Sequence, residues 1–246
     1  MRWLLFSAGA LGLMLAGPLI NVATGAVEFG GDWRSAPRTP AGAAPDPAMT
    51  PEAVVQVYAA RAFGWRAAFA VHSWIAVKAK GAARYTVHEV IGWRAYRGLP
   101  ALATSDRAPD AAWFGNRPEL LAELRGPEAE AAIGRIAAAV AAYPYADAYR
   151  AWPGPNSNTF TAFVARRVPA LRLDLPPTAI GKDYLGACPF AGVPSGTGWQ
   201  ISLFGLLGVL VGAEEGLEIN LLGLTIGVDP SAPAIKLPGL GRLGRD

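Results

Sequence analysis

Two short segments constrain this chain more than anything else in it. The first, Val71-His72-Ser73-Trp74-Ile75-Ala76-Val77, reads as a β-strand that carries one imidazole on a defined face. The second, Pro153-Gly154-Pro155-Asn156-Ser157-Asn158-Thr159-Phe160, reads as a tight turn that sets a hydroxyl at the first turn of a helix. A base and a nucleophile are the two side chains that acyl transfer requires, so each segment has the form of half an active site.

The rest of the composition bounds the setting. With 246 residues, 52% of them apolar and 17% charged, the chain can bury one core of ordinary domain size. The net charge of +3 is dispersed along the sequence and forms no basic stripe, so nucleic acid is not an expected partner. Cys188 is the only cysteine, which excludes an internal disulfide and a thiolate metal cluster. His72 and His88 are too few for a histidine-rich metal site, and Asp106, Asp110 and Asp147 read as turn and capping residues. No glycine cluster has the ending of a phosphate loop. Neither a metal nor a cofactor is therefore expected.

The amino terminus speaks to location. Trp3 to Ile20 is an apolar run of about the length that spans a bilayer, preceded by Arg2 and free of charge until Glu28. Residues 1–25 are read as a signal peptide or a retained anchor, with membrane lipid as a partner and the remainder on the periplasmic side of a bacterial inner membrane. Residues 26–49, rich in Gly, Pro and Ala, read as a linker, and residues 50–246 as the folded domain.

Within that domain, Thr50-Pro51-Glu52 has the form of a helix start, and the spacing of Val54, Val55, Val57 and Tyr58 predicts a helix that Gly64 ends. Phe69 to Val77 and Tyr85 to Trp93 predict a strand pair turned at Lys80-Gly81-Ala82. Short and long helices are predicted over Pro118–Leu124 and Pro127–Tyr143, and a further one over Asn158–Val168, stopped by Pro169. In the last third, Ile201–Leu206 and Ile219–Leu224 resemble each other, and Ala213-Glu214-Glu215-Gly216 between them predicts one β-hairpin with glycine bulges. The sum is an α+β class, with helices packed on an antiparallel sheet.

The pattern of a strand histidine followed far downstream by Asn156-Ser157-Asn158-Thr159-Phe160 resembles the circularly permuted branch of the papain-like superfamily, which includes the lecithin retinol acyltransferase group and permuted deubiquitinase-type peptidases. The resemblance implies His72 as base and places Ser157 at the nucleophile position, where those families carry cysteine. It implies a third polar group on the next strand, where Glu89 and His88 compete; only one can face inward, and Glu89 is preferred. A thiol is readily drawn to thiolate, whereas a hydroxyl needs a base that accepts its proton, a group that orients that base, and donors for the oxyanion. The expected donors are backbone N–H groups near Asn158 and the side chains of Asn156, Asn158 and Tyr149. Arg150, near the turn, is a candidate for an anionic substrate group. Residues 60 to 230 also resemble a bacterial family known as domain of unknown function 3750, through Trp113-Phe114-Gly115-Asn116-Arg117-Pro118-Glu119-Leu120-Leu121, Tyr143-Pro144-Tyr145-Ala146 and Trp152–Phe160.

Three readings stay open from these residues. One is a membrane-tethered serine hydrolase or acyltransferase acting on a lipid, peptide or cell-wall amide or ester. Another is an inactive papain-like domain that binds such a molecule. In the third, the domain is a structural component of the cell envelope.

Overall fold

A computed structural model describes residues 2–244, with the backbone alone for residues 2–8, 10 and 11. The chain starts with α1 (Arg2–Ala23) and then builds a five-stranded antiparallel sheet from β1 (Val54–Arg61), β2 (Val71–Lys78), β3 (Thr86–Val90), β4 (Leu102–Ser105) and β5 (Glu119–Arg125). Its order is β4-β3-β2-β1-β5. A single helical turn, α2 (Gly92–Ala95), follows β3, and α3 (Gly126–Ala141) and α4 (Ser157–Arg167) cover one face of the sheet. A second antiparallel sheet is a meander of seven strands: β6 (Phe190–Gly192), β7 (Gly198–Leu203), β8 (Leu207–Gly212), β9 (Gly216–Leu221), β10 (Leu224–Asp229), β11 (Ala234–Leu237) and β12 (Gly241–Gly244). The α+β class with antiparallel sheets is as expected.

Three elements differ from expectation. The segment after Thr50 is strand β1 and not a helix. It lies between β2 and β5 with Val55 and Val57 in the helix-side core and Val54, Tyr58 and Ala60 in the core on the other face. Burial on both faces erases the alternation that marks a strand, and the remaining run of apolar residues also satisfies a helical period. The segment 118–124, expected as a helix, falls on edge strand β5 (Glu119–Arg125), whose pairing with β1 overrides the helix preference of its Leu, Ala and Glu. The single expected C-terminal hairpin is four strands of the meander. Its two look-alike segments are themselves tight turns, with positive φ at Phe204 and Gly205 and at Leu222 and Gly223.

The N-terminal stretch is part of the packing. Asn21 of α1 donates from Nδ2 to Ala68 O and Gly239 O at 3.0 and 2.7 Å, and Arg61 donates to its Oδ1 at 3.2 Å. No helix among the described residues is long and apolar enough to cross a membrane. The side chains of Trp3 to Ala8, on which much of the expected span rests, lie outside the described residues. Residues 26–49, expected as a linker, lie against the domain: Ala43 N–H donates to Asp110 Oδ2 at 2.7 Å, Ala112 N–H to Thr39 O at 2.9 Å, and Tyr85 Oη–H to Pro45 O at 3.1 Å.

The seven-stranded sheet is tied to the segment after α4 through polar groups. Glu218 on β9 pairs with Lys182 and, at 2.8 Å, with Lys236 on β11, which also reaches Asp174 at 2.7 Å. Burial alone would push Lys182 down and Glu218 up; their mutual attraction outweighs it and holds both charged.

Candidate functional site

The start of α4 is fixed by Asn156. Its Oδ1 accepts the N–H groups of Asn158 and Thr159 at 3.0 and 3.2 Å, Thr159 Oγ1 accepts the Asn156 N–H at 3.1 Å, and the two make a capping box. Asn156 Nδ2 donates to Ala151 O and Ile180 O at 3.1 and 3.0 Å. The side chain fits because position 181 is glycine at φ +97°, where a Cβ would lie 2.3 Å from Asn156 Nδ2. Asn156→Ala removes the cap and orphans two carbonyls, so a loss of about 2 kcal/mol is expected in chemical denaturation. An unchanged midpoint would sink this account of the helix start.

Asn158 ties the helix to the strand of His72. Its Nδ2 donates to Val71 O and Ile180 O at 3.0 and 2.9 Å, and its Oδ1 accepts the Ser73 hydroxyl at 2.8 Å. One amide therefore brackets His72 from both sides along the backbone. Ser73, Ile75 and Val77 face α4, whereas His72, Trp74 and Ala76 lie on the other face of β2. His72 and Ser157 nonetheless line one cavity, because the first is at the start of its strand and the second at the start of its helix.

His72 is buried, with its ring stacked on Trp113 at 3.6 Å between centroids and 10° between planes. Its Nε2 is 3.0 Å from Glu89 Oε2, and Arg107 Nε donates to Glu89 Oε1 at 2.9 Å. His88, the competing third group, bonds Thr104 Oγ1 through Nδ1 at 2.9 Å, so Glu89 is the carboxylate that meets His72. Burial pushes Glu89 up, but the His72 hydrogen bond and the Arg107 guanidinium outweigh it and hold the carboxyl at about 2. Burial holds His72 below its ordinary value, against the pull of Glu89. With Glu89 ionised, His72 Nε2 carries the proton and Nδ1 is the basic nitrogen.

Both groups have folded pKa values below their unfolded ones. The stability they contribute is present above the unfolded values of 6.5 and 4.5 and is lost as pH falls, for Glu89 down to about 2. The urea midpoint is expected to hold at neutral pH, to decline below 6.5 and to fall further below 4.5. A midpoint that rises on acidification would overturn the assigned charge states.

The expected oxyanion donors fare unequally. The amide N–H groups of Asn156 and Asn158 are committed to backbone carbonyls. In the first turn of α4, the N–H groups of Asn158, Thr159 and Phe160 all bond Asn156, which leaves the Ser157 N–H as the donor without an internal partner among the described residues. Tyr149 lines the cavity, and burial raises its phenol, keeping it a neutral donor. Arg150 is exposed.

The cavity measures about 590 Å³ and is walled by aromatic residues that sequence reasoning did not assemble, among them Trp33, Trp65, Phe69, Trp93 and Trp113. Arg107, behind Glu89, was also missed; it lies in a loop, and only the fold brings it to the strand pair. No group of three or more His, Cys, Asp or Glu side chains among the described residues is arranged to hold a metal ion.

Residues 52–184, more than half of the chain, match the family described as protein of unknown function DUF3750. The chain belongs to the DUF3750 family. The matched part of this DUF3750 protein contains His72, Glu89 and Ser157 and ends before the seven-stranded sheet begins. No curated protein and no solved structure matches the chain.

Proposed function

We propose that this DUF3750 protein is a membrane-tethered serine hydrolase or acyltransferase of permuted papain-like fold, acting on an amide or ester whose apolar part enters the aromatic cavity. The observation that carries the reading is the convergence on one cavity of Ser157, at a helix N-terminus, and His72, oriented by Glu89 and Arg107. In the proposed reaction His72 Nδ1 takes the Ser157 hydroxyl proton as Oγ attacks the carbonyl carbon. The Ser157 N–H and Tyr149 Oη donate to the resulting oxyanion. His72 then returns the proton to the leaving alcohol or amine, and the acyl-serine passes its acyl group to water or to a second acceptor. Placement at the periplasmic face of a bacterial inner membrane belongs to the same proposal and is supported by the uncharged run before Glu28.

The second reading, a binding domain without turnover, is favoured by the stacking of His72 on Trp113, which holds the ring as a packed aromatic residue. A fluorophosphonate probe applied to the full chain separates the two. The catalytic reading expects one adduct, on Ser157, that vanishes in Ser157→Ala. No adduct, or one that persists in the variant, would leave the binding reading.

A further inference from the structure

The seven-stranded sheet is built with its polarity reversed. Its buried face carries Gln200, Glu218, Asn220, Thr225, Asp229 and Lys236. Most of these groups have partners inside the molecule: Gln200 Oε1 accepts from Arg166 at 3.0 Å, Asn220 donates to Asp183 at 2.8 Å, and Lys236 bonds Asp174 and Glu218, while Gln200 Nε2 is buried without a partner. The outer face is apolar and open. Direct pairing across the strands places Phe190, Ile201, Val209, Ile219 and Ile226 in one row. A second row runs through Trp199, Val211, Leu217, Val228, Ile235 and Leu243. All six of the second row are exposed, from 37% at Val211 to 53% at Ile235, and neither row contains a charge or a hydrogen-bonding side chain other than the Trp199 indole. The open apolar area is on the order of 1,000 Å², beyond the few hundred of the largest patch on an ordinary soluble monomer.

The turns prolong this surface. Phe204 and Leu222 sit at φ 54° and 55°, where Asn or Gly would be the unstrained choice, and are 61% and 59% exposed. Two bulky apolar side chains are thus held at the tips of turns at a conformational cost of about 1–2 kcal/mol each.

We propose that this face rests on the hydrocarbon surface of a lipid bilayer. Continuity with α1 favours lipid over a second copy of the chain. The helix docks at the turn between β11 and β12, where a Cβ on Gly17 would meet Pro238 O and Leu240, and it brings the exposed Leu13, Leu19 and Ile20 to the same end of the sheet. A protein partner would also call for a polar rim and about one hydrogen bond per 100–200 Å², and the rows supply almost none. Charge agrees in sign: the chain carries a net +3, suited to an anionic leaflet. The proposal is independent of the chemistry at Ser157.

The test uses the full chain with Cys188→Ser, labelled with an environment-sensitive nitrobenzoxadiazole dye at Ile219→Cys, and in a second sample at Glu130→Cys on the exposed side of α3. Each is bound to phosphatidylcholine–phosphatidylglycerol vesicles with and without brominated acyl chains. The dye at position 219 is expected to shift to the blue and to lose about half its intensity to bromines lying roughly 5–10 Å below the headgroups, while the dye at position 130 does neither. A blue shift without bromine quenching would assign the face to a second copy and overturn the proposal. Water-like emission at position 219 in vesicle-bound protein would leave α1 alone in the lipid, and failure to bind vesicles would equally overturn it.

Discussion

On the catalytic reading His72→Ala is expected to slow fluorophosphonate labelling of Ser157 by about 10²- to 10⁴-fold, the span for removal of a positioned general base. Glu89→Gln is expected to fall in the same range from a different cause. The carboxamide no longer requires a proton on His72 Nε2, so the imidazole loses the charge that fixes its tautomer and stabilises it once protonated. The two substitutions together should cost little more than His72→Ala alone, because they disable one unit. Additive losses in the double variant would mean that Glu89 acts on the fold and not through His72. The measurement is the pseudo-first-order labelling rate of the full chain, with the urea midpoint of each variant as the check on folding.

Glu218→Gln is expected to cost about 3–5 kcal/mol, the largest stability loss of any single substitution considered, because it takes from buried Lys182 its salt-bridge carboxylate and leaves Lys236 with Asp174 alone. In thermal unfolding this corresponds to a drop of about 10 °C for a chain of this size. The paired change Glu218→Leu with Lys182→Met removes one charge of each sign and should recover part of the loss. A cost below about 1 kcal/mol for Glu218→Gln would show that water shares the cluster and that its charges are not buried in effect.

The parts of the fold legible in the sequence are those whose local pattern and tertiary surroundings agree. The helix over Gly126–Ala141 is announced by Pro127 and an apolar stripe that ends in the core at Ala129, Ala132, Ile136 and Ala139. The β2–β3 pair is equally plain, since Gly81 at φ +70° makes the expected turn. β1 was obscured by being buried on both faces, and β5 by helix-forming residues that pair as a strand only because β1 lies beside them. In the meander the alternation of Trp199-Gln200-Ile201-Ser202-Leu203 was readable, as was the turn at Ala213-Glu214-Glu215-Gly216, but the turns at Phe204-Gly205 and Leu222-Gly223 were not, because Phe-Gly and Leu-Gly stand where Asn-Gly is the familiar signal.

The candidate site divides in the same way. Ser157 and His72 stand out because a hydroxyl at a helix start and an imidazole on an apolar strand are local signals. Strand alternation allowed only one of Glu89 and His88 to face inward, and the structure sets the preferred Glu89 against His72. Asn156 and Asn158, read as donors to substrate, spend their N–H groups on holding the helix to the strand. Trp113 and Arg107 come from loops, and no periodicity assigns a loop residue to a face.

The segment between α1 and β1 has one more consequence. A free spacer of its length would let a tethered domain roam over about 25–30 Å. Here Pro37, Thr39, Ala41 and Ala43 are fastened to residues 110–115, the same loop that lays Trp113 on His72. On the proposed membrane-tethered reading the site would therefore not sweep a volume in search of substrate: its height and tilt relative to α1 would be set once, and a reactive bond would have to arrive at that level by its own diffusion.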